Sequence, residues 1–218
     1  MPQIFRPYAD TVARAVLIGL LVLPFAAIGL AYAFMRSPYV TGEDVVIEQP
    51  VPFSHKHHVG ELGLDCRYCH DSVEKSSYAA VPPTHTCMTC HSQLYTNTAL
   101  LAPVRESLAE GKPIRWHKVH RLPDYVYFDH SVHVKHGVGC TTCHGEVETM
   151  PLMQQAAPLT MGWCISCHRD PAPQLRPASQ IFSTGWKPAK DQAAKGRKLM
   201  DELHIDPSHL TDCAVCHR

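Results

Sequence analysis

Short α-helices joined by irregular chain, almost no sheet, and one membrane-spanning helix near the N-terminus form the fold class that this sequence predicts. Three observations predict it. Ten cysteines fall two at a time into five Cys-x-x-Cys-His pentapeptides. One uncharged segment runs from Ala15 to Met35. Outside that segment only about 41% of residues are apolar, and the 218-residue chain carries 18 Pro and 12 Gly, too little for a large side-chain core. The body needs a core that its own side chains do not supply.

Residues 1–14 read as a short head, 15–35 as the span, 36–52 as a spacer carrying Glu43, Asp44 and Glu48, and 53–218 as the cysteine-bearing domain. The span reaches roughly 31 Å as a helix, about the thickness of a bilayer's hydrocarbon core. Ala31-Tyr32-Ala33 has the small-x-small form of a signal cleavage site, but the apolar run is longer than a signal peptide needs. A soluble helix would not be apolar on every face. Pro24 is tolerated in a membrane helix, and Arg6 and Arg14 before the span against Arg36 after it favour a cytoplasmic N-terminus. Twenty basic and twenty acidic side chains balance, so no nucleic-acid partner is expected.

The motifs start at Cys66, Cys87, Cys140, Cys164 and Cys213, a rhythm of short, long, short and long intervals. Phe53-Ser54-His55-Lys56-His57-His58 precedes the first pair and Phe128-Asp129-His130-Ser131-Val132-His133 the second. Both read Phe-x-His-x-x-His. Residues of about 53–91 and 128–168 are therefore a duplicated two-motif unit, and about 188–218 carry the fifth motif. Leu100, Leu101, Val104 and Leu108 predict a helix over 98–110, and Leu199, Met200 and Leu203 another over 190–203. Pro82-Pro83, Pro151, Pro171, Pro173 and Pro177 punctuate turns and extended loops.

The motif spacing has a mechanical reading. On one helical turn, residues i and i+3 share a face, so Cys66 with Cys69, Cys87 with Cys90, Cys140 with Cys143, Cys164 with Cys167 and Cys213 with Cys216 can each form thioethers to two vinyl groups of one porphyrin. The following His70, His91, His144, His168 and His217 are then proximal iron ligands. A disulfide framework or zinc ribbons leave the histidine at a fixed offset unexplained. With 16 His in 218 residues, five such placements by chance come to roughly two in a million. The expectation is five covalently bound haem c groups whose faces make the core: a multihaem cytochrome c body.

Eleven histidines lie outside the motifs, more than the five sixth positions need. His55, His58, His130 and His133, three residues apart within each repeat, are the first choices as distal ligands. His57 faces away from the other two. For the fifth ligand His120 leads; Met161, three residues before Cys164, is an alternative, and His136, His204 and His209 remain open.

The larger pattern resembles a known family. Phe-x-His-x-x-His followed by Cys-x-x-Cys-His is similar to class III multihaem cytochromes c over about 53–168. The run Val51-Pro52-Phe53-Ser54-His55-Lys56-x-His58, then Asp65-Cys66-Arg67-Tyr68-Cys69-His70, Val119-His120-Arg121-Leu122-Pro123-Asp124-Tyr125-Val126-Tyr127-Phe128-Asp129-His130 and Met161-Gly162-Trp163-Cys164-Ile165-Ser166-Cys167-His168-Arg169 resembles the pentahaem cytochrome c subunit of bacterial alternative complex III. That resemblance implies a non-enzymatic electron-transfer subunit on the outer face of the cytoplasmic membrane, in contact with membrane lipid. It implies His55, His58, His120, His130 and His133 as distal ligands. The implied partners are an iron-sulfur subunit related to molybdopterin oxidoreductases, polytopic quinol-binding membrane subunits, and a monohaem cytochrome c or terminal oxidase. A stand-alone membrane-anchored quinol dehydrogenase feeding periplasmic reductases shares the anchor and is the alternative. A catalytic multihaem reductase would need an open iron, which the supply of histidines argues against.

Overall fold

The computed structural model describes residues 4–217; the first three residues of the head and Arg218 lie outside the described residues. The chain divides into two compact units, 1–42 and 43–218.

In the first unit, α1 spans Ala9–Met35. It starts six residues before the expected span because Asp10 and Arg14, one turn apart, pair at 2.8 Å and extend the helix into its polar flank. The helix has a mean hydropathy of 2.4 over its most apolar stretch and is about 40 Å long at 1.5 Å per residue. None of its residues is buried, so it exposes apolar side chains on all sides and is a candidate membrane anchor. The short α2, Pro38–Thr41, starts on a proline and stops at Gly42, whose φ of 73° is the left-handed conformation that ends helices.

The second unit is short helices on an irregular chain. A π-helix, Lys56–Glu61, is followed by α3 (Cys66–Cys69), α4 (Thr84–His91), α5 (Ala102–Glu110), α6 (His130–Lys135), α7 (Cys140–His144), α8 (Met161–Arg169), α9 (Gln192–Glu202) and α10 (Cys213–Cys216). Helices expected over 98–110 and 190–203 are α5, entered through a 3-10 turn at Ala99–Leu101, and α9. Among the described residues there is no strand, only isolated bridges such as Val126 with His217 and Val138 with Leu175. The expected spacer divides: Glu43 and Val46 bridge to Gln155 and Gln154, and Gln49 exchanges hydrogen bonds with the backbone of His117.

The side-chain core is as thin as the composition implied. Val73, Val134 and Ile181 form a small cluster with Ala79 and Phe182 against it, and Leu175 is the only large side chain fully buried among the described residues. Elsewhere the backbone packs on itself. A Cβ on Gly196 of α9 would run into the carbonyl oxygen of Ala172, so that helix can lie on the 172–174 turn only with glycine there. Helix α9 is held further by Gln192, which donates to the Leu175 carbonyl at 2.7 Å.

Candidate haem sites

Each of the five motifs sits on a helical turn: the first three on α3, the end of α4 and α7, the last two on α8 and α10. Two of these turns are started by their own side chains. Asp65 accepts from the Arg67 amide at 2.8 Å, and Thr160 accepts from that of Trp163 at 3.4 Å, satisfying amides a first turn leaves without partners. The ten thiols form no disulfide. Cys66 and Cys140 are near enough to share a proton, which makes the Cys66 thiol more acidic, to about 7, and raises that of Cys140. Burial pushes Cys143 up to about 12, helped by Cys167 and Cys164 nearby.

All five motif histidines have Nδ1 engaged. His70 donates to the Ala80 carbonyl at 2.6 Å, His91 to Leu94 at 3.1 Å, His168 to Leu210 at 2.9 Å and His217 to Tyr125 at 3.2 Å. His144 is the exception in kind, its Nδ1 lying 3.1 Å from Nε2 of His120. Histidines that bind a metal through Nε2 are fixed in this way, because the Nδ1 bond sets tautomer and ring orientation.

Three of the expected distal histidines stand across from motif histidines. The ring centroids are 6.1 Å apart for His58 and His91, 6.3 Å for His130 and His144, and 6.1 Å for His133 and His168. Two imidazoles bound trans to one metal, with bonds of about 2.0 Å, have centroids about 6 Å apart. The distal rings are fixed alike: His58 donates to Ser54 at 2.9 Å, His133 to Asp129 at 2.7 Å and His130 to Ser77 at 2.8 Å. His55 is near enough to His70 to feel its charge, and burial with that charge lowers its pKa to about 4. Its Nδ1 is buried without a partner. Burial likewise lowers His144 to about 3, with His120, His130, His70 and His55 adding to the effect. These rings stay neutral at ordinary pH, the form that binds a metal.

Two further candidate ligands are in none of these three pairs. His120 stacks edge-on against His144 at 4.3 Å, on the Nδ1 side, where it is a support for that ring. Met161 opens α8 with its side chain 66% exposed and is in none of the three pairs. His57 is paired with Glu61 at 2.8 Å, consistent with the outward direction read from its spacing. His209 is exposed and bonds Asp212; His136 bonds its own helix at the Val132 carbonyl.

The sequence reading missed Arg176. It is 2% exposed, lies 4.1 Å over the Trp186 ring and donates to Thr141 Oγ1 at 2.6 Å and Thr142 Oγ1 at 3.3 Å, the two middle residues of the third motif. Gly139 leaves room for its guanidinium. An isolated arginine in a proline-rich loop gives no periodic or spacing signal.

The donor set fits haem c. Among the described residues no three His, Cys, Asp or Glu side chains gather as a metal cluster; histidines come in facing pairs, as suits an iron that brings four ring nitrogens of its own. Paired cysteines on single turns, Nδ1-anchored histidines and a thin side-chain core define a multihaem cytochrome c. No family model matches the chain. The "Menaquinone reductase, multiheme cytochrome c subunit" of Nitratidesulfovibrio vulgaris (strain Hildenborough) is 39% identical over 176 residues, covering 78% of this chain and 77% of that one. The chain belongs to this family of multihaem cytochrome c subunits.

Proposed function

We propose that the chain is a membrane-anchored pentahaem electron-transfer subunit of a quinone-linked oxidoreductase complex, with 43–218 on the outer face of the bacterial cytoplasmic membrane and the N-terminus inside. The observation that carries this reading is the set of three histidine pairs with centroids 6.1–6.3 Å apart. His58 with His91, His130 with His144 and His133 with His168 would hold the irons of the second, third and fourth sites; by the repeat, His55 with His70 would hold the first. Each cysteine pair would hold its ring by two thioethers, and the ten cysteines suffice for five haem c sites with no thiol left over. Bound haem supplies reversible one-electron exchange at iron. The chain's own part would be to offer a histidine on each side of the iron at these four sites, to fix all of them but His55 through Nδ1, and to hold the rings in a neutral state. A filled sixth position makes a carrier, and at these four sites none would be left open to a substrate.

The partners follow from two directions. The relative is a subunit of a menaquinone reductase, and the resemblance to alternative complex III points to quinol oxidation. A row of haems conducts either way, so the partners' potentials set the direction and the role of this subunit is common to both. The relative being one subunit of a reductase supports partner subunits, and the resemblance to alternative complex III implies an iron-sulfur subunit related to molybdopterin oxidoreductases and polytopic quinone-binding subunits as neighbours, with a monohaem cytochrome c or terminal oxidase as acceptor in the quinol-oxidising case. Gentle detergent extraction followed by identification of the copurifying chains tests this: iron-sulfur and polytopic membrane subunits are expected. A chain that emerges alone and is reduced directly by menaquinol is a stand-alone quinol dehydrogenase. Carbon monoxide binding to the reduced protein would reveal an open iron and overturn the carrier role.

A further inference from the structure

We infer that the five haem sites run through space in the order second, first, third, fourth, fifth, so that the two duplicated units meet through their first sites and the second and fifth sites are the ends of the electron path. The inference rests on the pentahaem reading above and adds what that reading leaves open: which site neighbours which, and where electrons enter and leave.

Four links carry it. The first and second sites are joined by the His55–His58 turn and by Tyr68 and Thr89, middle residues of the two motifs, whose hydroxyls lie 2.7 Å apart. The first and third are joined by one loop that serves both, with Cys66 and Cys140 as near neighbours. Within it, the Ala80 carbonyl holds His70 at 2.6 Å, while the Ser77 carbonyl holds His130 at 2.8 Å and the Ser76 carbonyl accepts from the Ser131 amide at 3.2 Å. The third and fourth are joined by the single turn of α6 that carries His130 and His133, which face His144 and His168 respectively. The fourth and fifth are joined by the His168 bond to Leu210 at 2.9 Å, three residues before Cys213.

Cys66 and Cys140 are equivalent positions of the repeat. Their contact is therefore self-complementary, the way two copies of one unit meet about a twofold axis. Such a contact forces the sequence order apart: the second site, which precedes the third along the chain, is turned outward. The chain crosses back over a long connection that includes α5, clasped to α4 by the Thr84 and Ser107 hydroxyls at 2.6 Å. Exposure follows the same order. Cys90 and Cys213, one from the second motif and one from the fifth, are exposed, and the other eight cysteines are half-buried. The surface around His91, Leu94 and Tyr95 at one end and around His209 and Cys213 at the other is where redox partners exchange electrons.

The experiment uses the full haem-loaded chain in detergent. Intact mass and pyridine haemochrome first count the haems; fewer than five breaks the pentahaem reading itself, independently of the order. A ruthenium photoreductant is then tethered at the exposed position 95 through Tyr95→Cys, beside the second site, and the spread of the electron to the other haems is timed with the first site intact or stripped by Cys66→Ala/Cys69→Ala. Stripping the first site is expected to slow that spread by at least an order of magnitude; an unchanged rate means that the second site feeds the third directly and overturns the order. For the case in which the stripped chain fails to fold, inter-haem nuclear Overhauser contacts in the unaltered chain decide. Contacts of the first haem with both the second and the third are expected, and a direct contact of the second with the third, without one between first and third, overturns the order.

Discussion

The two repeats place their rings almost identically on different backbones. In the first, Phe53 stacks on His58 with centroids 4.4 Å apart and meets His55 edge-on at 4.9 Å; in the second, Phe128 stacks on His133 at 4.4 Å and meets His130 edge-on at 4.8 Å. The second histidine of each bonds the carbonyl four residues back. Yet residues 56–61 form a π-helix and 130–135 an α-helix. Asp129 caps the second, accepting from the Ser131 and Val132 amides, where Ser54 offers one hydroxyl to the His57 amide at 3.1 Å. His130 finds the Ser77 carbonyl, while the buried Nδ1 of its counterpart His55 has no partner. What the repeat preserves is the aromatic wedge that orients two imidazoles, and either helical form can carry it.

The sharpest way to break this equivalence is at the paired histidines. His58→Met and His133→Met are each expected to raise the potential of one haem, the second and the fourth respectively, by on the order of 100 mV, since thioether ligation favours reduced iron. Spectroelectrochemistry reads the shift and near-infrared magnetic circular dichroism the Met ligand. A variant that moves no potential shows that its pairing is wrong.

Next in size is a backbone contact that only the first repeat makes. A Cβ on Gly60 would run into the carbonyl oxygen of Glu148, whereas the equivalent Lys135 is exposed. Gly60→Ala is expected to destabilise by roughly 1–3 kcal/mol through overpacking, and Lys135→Ala by less than about 0.5 kcal/mol, both by thermal unfolding. A third difference lies at the motifs. Arg176 holds the third motif from a buried position, while the first has Arg67 in the solvent-exposed pair with Asp65 at 2.8 Å. Arg176→Met removes a cation beside the third iron and is expected to lower that haem's potential by on the order of tens of millivolts. Arg67→Met should leave the first nearly unchanged in the same redox titration.

The sequence made some of this legible and hid the rest for physical reasons. The motif spacing and the Phe-x-His-x-x-His repeat single out the histidines that face one another because both are local: their ring placements depend on residues within one or two turns. The long apolar helix was legible from composition alone, short only of the ion-paired turn at Asp10 and Arg14. The place of His120 beside His144 was not, because it depends on bringing residues 24 apart together. Nor was Arg176, whose partners Thr141 and Thr142 are about 35 residues away and whose loop has no period. The meeting of Cys66 with Cys140 is a tertiary contact between repeats, invisible to any pattern within one of them.

The smallest expected effect tests whether the two helical forms are truly interchangeable. Asp129 accepts three bonds, from the amides of Ser131 and Val132 and from the Ser131 hydroxyl, and an N-terminal carboxylate also favours the helix dipole. Ser54 accepts one, and the π-helix it precedes is held in addition by its contact with residues 147–149 around Gly60. Asp129→Ala should therefore lower the melting temperature by a few degrees, and Ser54→Ala by less, with the haem spectra of both unchanged. If Asp129→Ala instead disturbs the low-spin spectrum of the third and fourth sites, the cap is positioning His130 and His133 as well as stabilising α6. The wedge of Phe128 would then not suffice by itself to orient the two rings, and the equivalence of the repeats would hold only because each unit has its own second means of fixing the turn.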